Sequence, residues 1–496
     1  MTRKRLTLTS LLGVVVIILG VLPYFFGDKA RETLEQQAAV ISDIPGYALV
    51  IKDYEQGWFT SHVVFNFGFD AHTIEIMEES EAQNDAERVL LDLLKAGADF
   101  EATVAHGPVT FQNGLNFALL SLEGRLKDID SQLYQDFREL AGVPNFLNFH
   151  TVIAYNGVTT ADVTSPAFKA ALPTNQEQQI TIESGGLTSH TTVNADVTHY
   201  VTEAKIPLFK FEATEGGIML KDMYLSMQAD RLNDYLWLGQ GETEIGEITA
   251  LVAGKSSFSL KNLKTTHEIN RESDDTLQAS LKMTLSQAGA GDNNVTDGIL
   301  DLTFNRLDID GLTRYVEEIQ AISLTEDDQP PLTEEEIAQK TMDIISRTGL
   351  LLAQRSPEMS INSLRFKFGE GNFAGIGTVA LKGEGLEKLE TLNDPQTLLS
   401  RLAVDLTAGF DQALAEAIVT IGMKQQMAGT GIDMSHLPEE QLQQAVNIQT
   451  TLMLQTYVNQ GLIVVDEENG LYNAHIEIKN GQRLINGKSL DIPLGQ

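Results

Sequence analysis

An uncharged apolar stretch near the N-terminus constrains this chain more than any other part of its sequence. It begins at Leu6, ends at Phe26 and follows the basic residues Arg3, Lys4 and Arg5. A helix rises about 1.5 Å per residue, so roughly 20 such residues cross the hydrocarbon core of a bilayer. We therefore expect a transmembrane anchor with a cytoplasmic N-terminus and an exported remainder.

Two other interpretations of this stretch compete with the anchor. A cleaved signal peptide has a shorter apolar core of about 7 to 15 residues and a small-x-small cleavage site. Here charged residues follow at once, beginning with Asp28. A buried helix of a soluble domain would not be flanked by basic residues on one side and further charges on the other. The sequence favours the anchor.

The charge balance limits the partners of the exported part. The chain of 496 residues has 69 acidic and 35 basic side chains and a formal net charge of −34. Nucleic-acid binding depends on Lys and Arg that neutralise phosphates, so we expect no nucleic-acid partner. The same charge would repel anionic lipid headgroups, which leaves the single helix as the main membrane attachment. The chain has no cysteine, which excludes disulfides, thiolate metal sites and cysteine nucleophiles.

Alternation of apolar and polar residues dominates the chain beyond the anchor. Val63 and Phe65 begin an alternating run, and similar segments separated by Gly, Asn and Asp continue from about residue 100 to residue 309. Helical patterns then alternate with strands, the first helix being capped by Asp310. We predict an α+β fold: an N-terminal transmembrane helix followed by a long, twisted, mainly antiparallel sheet partly covered by helices.

Pattern changes divide the chain into four predicted segments. Residues 1–27 are a cytoplasmic basic tip and the anchor, and residues 28–150 are a stem helix capped by Asp28 and an N-terminal α+β region. Residues 151–325 form a β-rich central region, and residues 326–496 form a C-terminal α+β region.

A short pattern recurs in the β-rich part of the chain. Residues 218–223, 258–263 and 302–307 each contain an apolar-x-apolar triplet, two polar residues and another apolar residue. The alternation slips by one residue in each copy, which predicts a bulge or bend in these strands. Duplication and a common strand motif explain the pattern equally well.

Motifs for nucleotide binding and metal catalysis are incomplete. Residues 254–256 resemble the tail of a Walker A loop, and residues 369–374 match a dinucleotide fingerprint by letters, but strand patterns adjoin both. His267-Glu268 opens like a zinc-protease motif, with Arg271 at the second ligand position. We expect a non-enzymatic protein with no catalytic residues, cofactor or metal. A site assembled from distant carboxylates or histidines is the enzymatic alternative.

Three residues are candidates for binding. Trp58 and Phe59 lie at a predicted turn about thirty residues beyond the anchor, where they would meet the lipid interface or a partner. Packing in the core is the alternative, and the favoured one. His106 precedes Gly107-Pro108, a turn element, and is expected to anchor a hairpin if it does not bind a ligand.

Several elements together carry a family resemblance. They are the basic end with its apolar helix, residues 54–61 with Gln56 where arginine is usual, residues 105–109 around His106, residues 302–315, and residues 480–488. In these elements the chain resembles the YdgA-like bacterial proteins, which are inner-membrane proteins of unresolved function. More distantly it is similar to AsmA-like envelope proteins, some of which are linked to phospholipid transport.

The resemblance implies a single-pass protein of the bacterial inner membrane with its bulk in the periplasm. The function expected is non-enzymatic binding of lipid or another hydrophobic envelope component. The alternative is a structural or assembly module that acts through protein contacts, with a homo-oligomer as one form.

Overall fold

The computed structural model describes residues 22–42, 46–70, 73–74, 95, 97–110, 112, 114–127, 132–173, 179–213, 216–252, 255–290, 293–323, 334–429 and 439–489. The chain forms two compact units. The first consists of residues 1–217, 221–231 and 317–337, and the second of residues 218–220, 232–316 and 338–496.

Most of the predicted anchor, residues 6–21, lies outside the described residues, whereas its last residues belong to helix α1 (Leu22–Ser42). Within the described ranges, no helix combines the length and the apolar character needed to span a bilayer. The helix runs without a break through Asp28, so the prediction that Asp28 caps a separate stem helix was wrong. Its charged side chains pair along the exposed surface, as in the Arg31–Glu35 contact of 2.8 Å.

The first unit is an antiparallel sheet with helices. Its strands are β1 (Tyr47–Gln56), β2 (Thr60–Phe69), β3 (Ala98–His106), β4 (Leu120–Leu126), β5 (Asn148–Ile153), β6 (Thr159–Ser165), β7 (Phe168–Pro173), β8 (Gln179–Ser184), β9 (Leu187–Val193) and β10 (His199–Glu212). Strands β1 to β6 pair in chain order. Strand β9 then lies between β6 and β10, and β8 between β7 and β10. Helix α2 (Gln132–Ala141) was not predicted.

Helix α1 packs on one face of this sheet. Ala30 of the helix is fully buried against Val63, Val104 and Leu120 of three neighbouring strands. The alternation predicted for β2 therefore places Val63 in the core, and Phe65 packs against the same cluster. Burial of these apolar side chains is the main favourable contribution to holding the helix on the sheet.

The remaining elements continue the antiparallel pattern. They are β11 (Gly217–Arg231), β12 (Trp237–Val252), β13 (Lys255–Arg271), β14 (Thr276–Ala290), β15 (Asn293–Asp308), α3 (Ile309–Ser323), α4 (Glu334–Gln354), β16 (Glu358–Phe368), β17 (Gly371–Leu381), a 3₁₀ turn (Leu389–Asn393), α5 (Pro395–Arg401), β18 (Leu402–Asp411), α6 (Gln412–Gly429), α7 (Glu439–Gln460), β19 (Val464–Asp466), β20 (Leu471–Lys479), β21 (Gln482–Ile485) and β22 (Lys488–Ser489).

In the second unit, β12 to β18 pair in chain order, and β20 pairs with β18, β19 and β21. Helices α6 and α7 bury Ala415 and Leu454 together with Ile463, against Phe410 and Tyr472 of the sheet. The predicted mainly antiparallel sheet with several helices is confirmed. Residues 369–370 form the turn between β16 and β17, and His267 lies on β13. Neither segment is therefore the helical element that a dinucleotide-binding or zinc-protease motif needs.

The recurring strand pattern has a backbone counterpart. Its fifth residue in each copy is Asp222, Asn262 or Arg306, and these residues have φ values of 51°, 50° and 56°. At Arg306 the pairing of β15 with β14 slips by one residue, which is a β-bulge. The predicted bulge is confirmed there, and the left-handed backbone marks the same position in the other two copies.

Candidate functional site

Four exposed aromatic side chains form the aromatic collar, the name used here for Tyr24, Phe25, Trp58 and Phe59. Their exposed fractions are 43%, 63%, 52% and 54%. The ring centroids of Tyr24 and Trp58 lie 5.0 Å apart, and those of Tyr24 and Phe25 lie 5.9 Å apart. Trp58 and Phe59 therefore lie at the surface of the first unit rather than in its core.

A tight turn holds two members of the collar at the surface. Gly57 separates β1 from the two aromatic residues, and a Cβ atom at this position would collide with the backbone carbonyl of Thr60. Only glycine fits that close approach of two backbone segments. The turn thus places Trp58 and Phe59 next to the start of α1.

A further exposed aromatic side chain lies next to Phe26, the residue that follows the collar in α1. Tyr155, 51% exposed, packs against Phe26 with a centroid distance of 6.1 Å. Elsewhere in the first unit, Leu115 and Phe117 are 61% and 71% exposed. The aromatic residues at positions 24–26 could have been recognised in the sequence, because aromatic residues at the end of an apolar stretch are typical of a membrane interface.

His106 lies behind the collar and joins α1 to the sheet. It is 2% exposed. Its Nδ1 lies 3.1 Å from the carbonyl oxygen of Pro23, and its Nε2 lies 2.8 Å from Oγ of Ser61. Its backbone N–H also donates to the carbonyl of Phe59 at 2.9 Å. The hairpin-anchoring role expected for His106 therefore extends to the helix.

Gly27 allows the helix to come this close. A Cβ atom there would lie 2.8 Å from Cε1 of His106 and 2.7 Å from Nε2 of Gln56. The hydroxyl of Tyr54 donates to the carbonyl of Gly27 at 3.3 Å. Two polar side chains of the sheet thus bind carbonyls one helical turn apart in α1.

Burial shifts the pKa values of the two side chains, His106 and Tyr54, that connect the sheet to α1. Desolvation lowers the pKa of His106 below its usual value, and hydrogen bonds to the backbone oppose that shift only in part. A neutral imidazole that donates from Nδ1 to the Pro23 carbonyl accepts at Nε2 from the Ser61 hydroxyl. Desolvation likewise raises the pKa of Tyr54.

The Ser61–His106 contact has the distance of a nucleophile and its general base, but not the surroundings. In such pairs a third group, usually a carboxylate, orients the base, and the nucleophile faces a substrate. Here both side chains are 2% exposed, and the second ring nitrogen binds a backbone carbonyl. The pair is suited to positioning the helix, because a substrate cannot reach the buried Ser61 hydroxyl.

Histidines that are scattered in the sequence align on the opposite, exposed face of the first unit. The row runs directly across neighbouring strands through His62, Thr103, Glu123, His150, Asp162 and His190. His190 Nδ1 lies 2.7 Å from Oδ1 of Asp162, and His150 Nε2 lies 3.1 Å from Oγ of Ser121. Each of these two imidazoles is thus held by a polar side chain on a neighbouring strand.

One cluster in the described part of the chain brings three ligand atoms suitable for a metal within 4.8 Å of one another. Its members are Asp405, His475 and Glu477, on neighbouring strands of the second unit. His475 Nε2 lies 2.9 Å from Oδ1 of Asp405. Contacts among exposed polar groups account for this cluster without an ion.

Comparison with known proteins finds one family. A family model described as a bacterial protein of unknown function (DUF945) matches residues 2–493. No curated protein and no solved structure matches the chain.

Proposed function

Because the chain belongs to this bacterial family, DUF945, over nearly its whole length, and the family has no known function, we propose a role argued from the chain's own residues. The protein is a non-enzymatic, single-pass protein of the bacterial inner membrane, with its bulk in the periplasm. Its first unit rests on the outer surface of that membrane through the aromatic collar. It serves there to bind a lipid or another hydrophobic component of the envelope.

The aromatic collar is the observation that carries this proposal. Four large aromatic side chains, each more than two fifths exposed, lie together at the start of the first described helix. The uncharged residues 6–21 immediately precede them. Trp and Tyr are enriched where apolar and wet environments meet, since their rings are apolar and their polar atoms reach water.

Electrostatics favours the same mode of attachment. A chain with a formal net charge of −34 gains little from anionic headgroups. Insertion of aromatic rings needs no positive surface and gains free energy from apolar area removed from water. The joint at His106 would then hold the anchor helix at a fixed place on the sheet.

The two tryptophans of the chain allow a direct test. Trp58 belongs to the collar and Trp237 to the second unit. Full-length protein is reconstituted in vesicles that contain brominated lipids, either as Trp237→Phe or as Trp58→Phe. We expect strong quenching of Trp58 in the first variant and weak quenching of Trp237 in the second. Equal, weak quenching of both would contradict seating of the collar in the interface.

Localisation needs a separate measurement. Protease added to spheroplasts should digest the bulk of the chain and spare a short N-terminal fragment. Full protection in intact spheroplasts, with digestion only after lysis, would contradict a periplasmic location.

The alternative function is assembly through protein contacts. Its support is an apolar row on α7, where Ile448 and Leu452, one helical turn apart, are 56% and 60% exposed. Exposed apolar rows of this kind are typical of association surfaces. Crosslinking in intact membranes should then give one discrete complex that Leu452→Glu abolishes, and a strictly monomeric protein would exclude this alternative.

A further inference from the structure

A groove of about 600 Å³ crosses the exposed face of the sheet in the second unit. Five residues lie directly opposite one another across it, on β15, β16, β17, β18 and β20: Ile299, Arg365, Ala374, Gly409 and Asn473. Ala374 ends at Cβ, and the side chain of Asn473 lies over Gly409, since a Cβ atom at Gly409 would come 2.6 Å from Oδ1 of Asn473. The surface is therefore depressed at Ala374, between the side chains of Arg365 and Asn473, whose strands are three spacings, about 14 Å, apart.

The polar groups at the two ends of this depression are uncommitted. Within the described part of the chain, neither the guanidinium of Arg365 nor the side-chain amide of Asn473 has a hydrogen bond or an ion pair. The neighbouring basic group of the lining is paired, since Lys367 lies 2.8 Å from Asp297. In a chain with 69 acidic and 35 basic residues, a guanidinium without a carboxylate marks a place for an external anion.

Most of the remaining lining is apolar, with Asn372 and Thr407 as its polar members. Ile376 is 55% exposed at the groove, and Ile299 and Leu471 are half-buried beside it. Grooves of this volume with apolar walls and a few convergent polar groups are typical of small-molecule sites. An occupant needs an apolar body and one negative charge.

We propose that this groove binds a fatty acid, with its carboxylate on Arg365 and its alkyl chain over Ala374 and past Asn473 toward Leu471. Among the described residues that line the groove, Arg365 carries the one unneutralised positive charge, since Asp297 neutralises Lys367. One such charge matches a singly charged carboxylate, which the planar guanidinium binds through two parallel hydrogen bonds. The inference rests on the proposed function, binding of a hydrophobic envelope component, and specifies that component as a fatty acid.

Photocrosslinking maps the occupant in the presence of a bilayer. Full-length protein in nanodiscs of zwitterionic lipid is labelled with a palmitic acid that carries a diazirine in its chain, and modified peptides are identified by mass spectrometry. We expect the label on peptides that contain residues 372–376, 407–409 and 471–473. Loss of a charged hydrogen-bond pair should lower this labelling about tenfold in Arg365→Gln.

Matched controls separate recognition from unspecific apolar contact. Ala374→Leu fills the groove and should abolish labelling, whereas Arg314→Gln, outside the groove, should leave it unchanged. The diazirine alcohol of the same chain length should label the groove as weakly as palmitate labels Arg365→Gln. Equal labelling by acid and alcohol, or label spread evenly over both units, would overturn the proposal. Quenching of Trp58 by brominated lipid is independent of this result, so failure of the fatty-acid site and failure of membrane seating are distinguishable.

Discussion

Nδ1 of His106, at the end of β3, lies 3.1 Å from the carbonyl oxygen of Pro23 in α1. This hydrogen bond joins two segments that are distant in the sequence. Because Nε2 of the same ring contacts Ser61 on β2, one buried imidazole links the helix to two strands.

Removal of this imidazole should destabilise the first unit. His106→Ala removes two buried hydrogen bonds, to the Ser61 hydroxyl and to the Pro23 carbonyl, and leaves a cavity between the helix and the sheet, so we expect a loss of about 2 to 4 kcal/mol in the free energy of unfolding. Urea unfolding followed by Trp58 fluorescence, in the Trp237→Phe background, measures it. His475→Ala on the exposed face of the second unit is the control and should change this transition by less than about 0.5 kcal/mol.

Stability of the first unit should fall in mild acid. Burial lowers the pKa of His106 in the folded protein, so between that pKa and about 6.5 the unfolded chain binds more protons than the folded one. The contribution of His106 is therefore complete above about pH 6.5 and is lost as the pH falls through the folded pKa. The slope of unfolding free energy between pH 7 and pH 5 should be smaller in His106→Gln. An identical slope in both proteins would contradict the assignment.

A side chain at position 27 should separate the helix from the sheet. Gly27→Val places new atoms against Cε1 of His106, and overpacking of this kind costs about 1 to 3 kcal/mol. Gly422→Ala in α6 is the matched control, because a Cβ atom there meets nothing within 4 Å. The control should stabilise the protein by up to about 1 kcal/mol through helix propensity. Thermal unfolding of both variants tests the difference in sign.

The cap of α3 can be tested with two neighbouring aspartates. Asp308, 3% exposed, accepts from the backbone N–H of Gly311 at 2.6 Å and from Nε of Arg355 at 2.6 Å. The sequence-based prediction that Asp310 caps this helix was wrong, since Asp310 pairs with Arg314 at the surface. Asp308→Ala should cost about 2 to 4 kcal/mol and Asp310→Ala less than about 0.5 kcal/mol, measured by chemical denaturation. Equal losses of stability in the two variants would contradict the assignment of Asp308 as the cap of α3.

The left-handed backbone at Asp222 predicts that valine, which favours ordinary strand positions, is unfavourable at this position. Because φ at Asp222 is 51°, Asp222→Val should destabilise the protein by about 1 to 2 kcal/mol. Asp222→Gly should be close to neutral. Thr378→Val, on an exposed position of β17, is the control for valine in a regular strand. Valine tolerated equally at both positions would show that the bulge is not a fixed feature.

Local patterns predicted most strands and helices of the second unit, because alternation and turn residues act over a few neighbouring positions. The alternation of helices with strands that the sequence predicts beyond residue 309 is present in α3 to α7 and β16 to β20. The turn at Asn480 and Gly481 has the positive φ values that an Asn-Gly hairpin requires. The bulge at Arg306 was also readable, since it shifts the alternation by one residue.

Contacts between distant segments were not predictable in the same way. Tyr24 contacts Trp58 only because α1 packs beside the β1–β2 turn. The periodicity of apolar residues in the sequence does not specify where on a sheet a helix packs. For the same reason the alternatives for Trp58 and Phe59 stayed open in the sequence. The choice of Asp308 over Asp310 as the cap depends on Arg355, which lies far along the chain.

The position of the His106 contact also determines how the first unit carries mechanical load. Tension applied from the N-terminal side enters α1 at Pro23, where the helix is already pinned to β2 and β3. The force is therefore shared at once between two strands and the packed helix face, instead of reaching the edge strand β1 first. Because these contacts must break together, the helix and the sheet should separate in a single abrupt step.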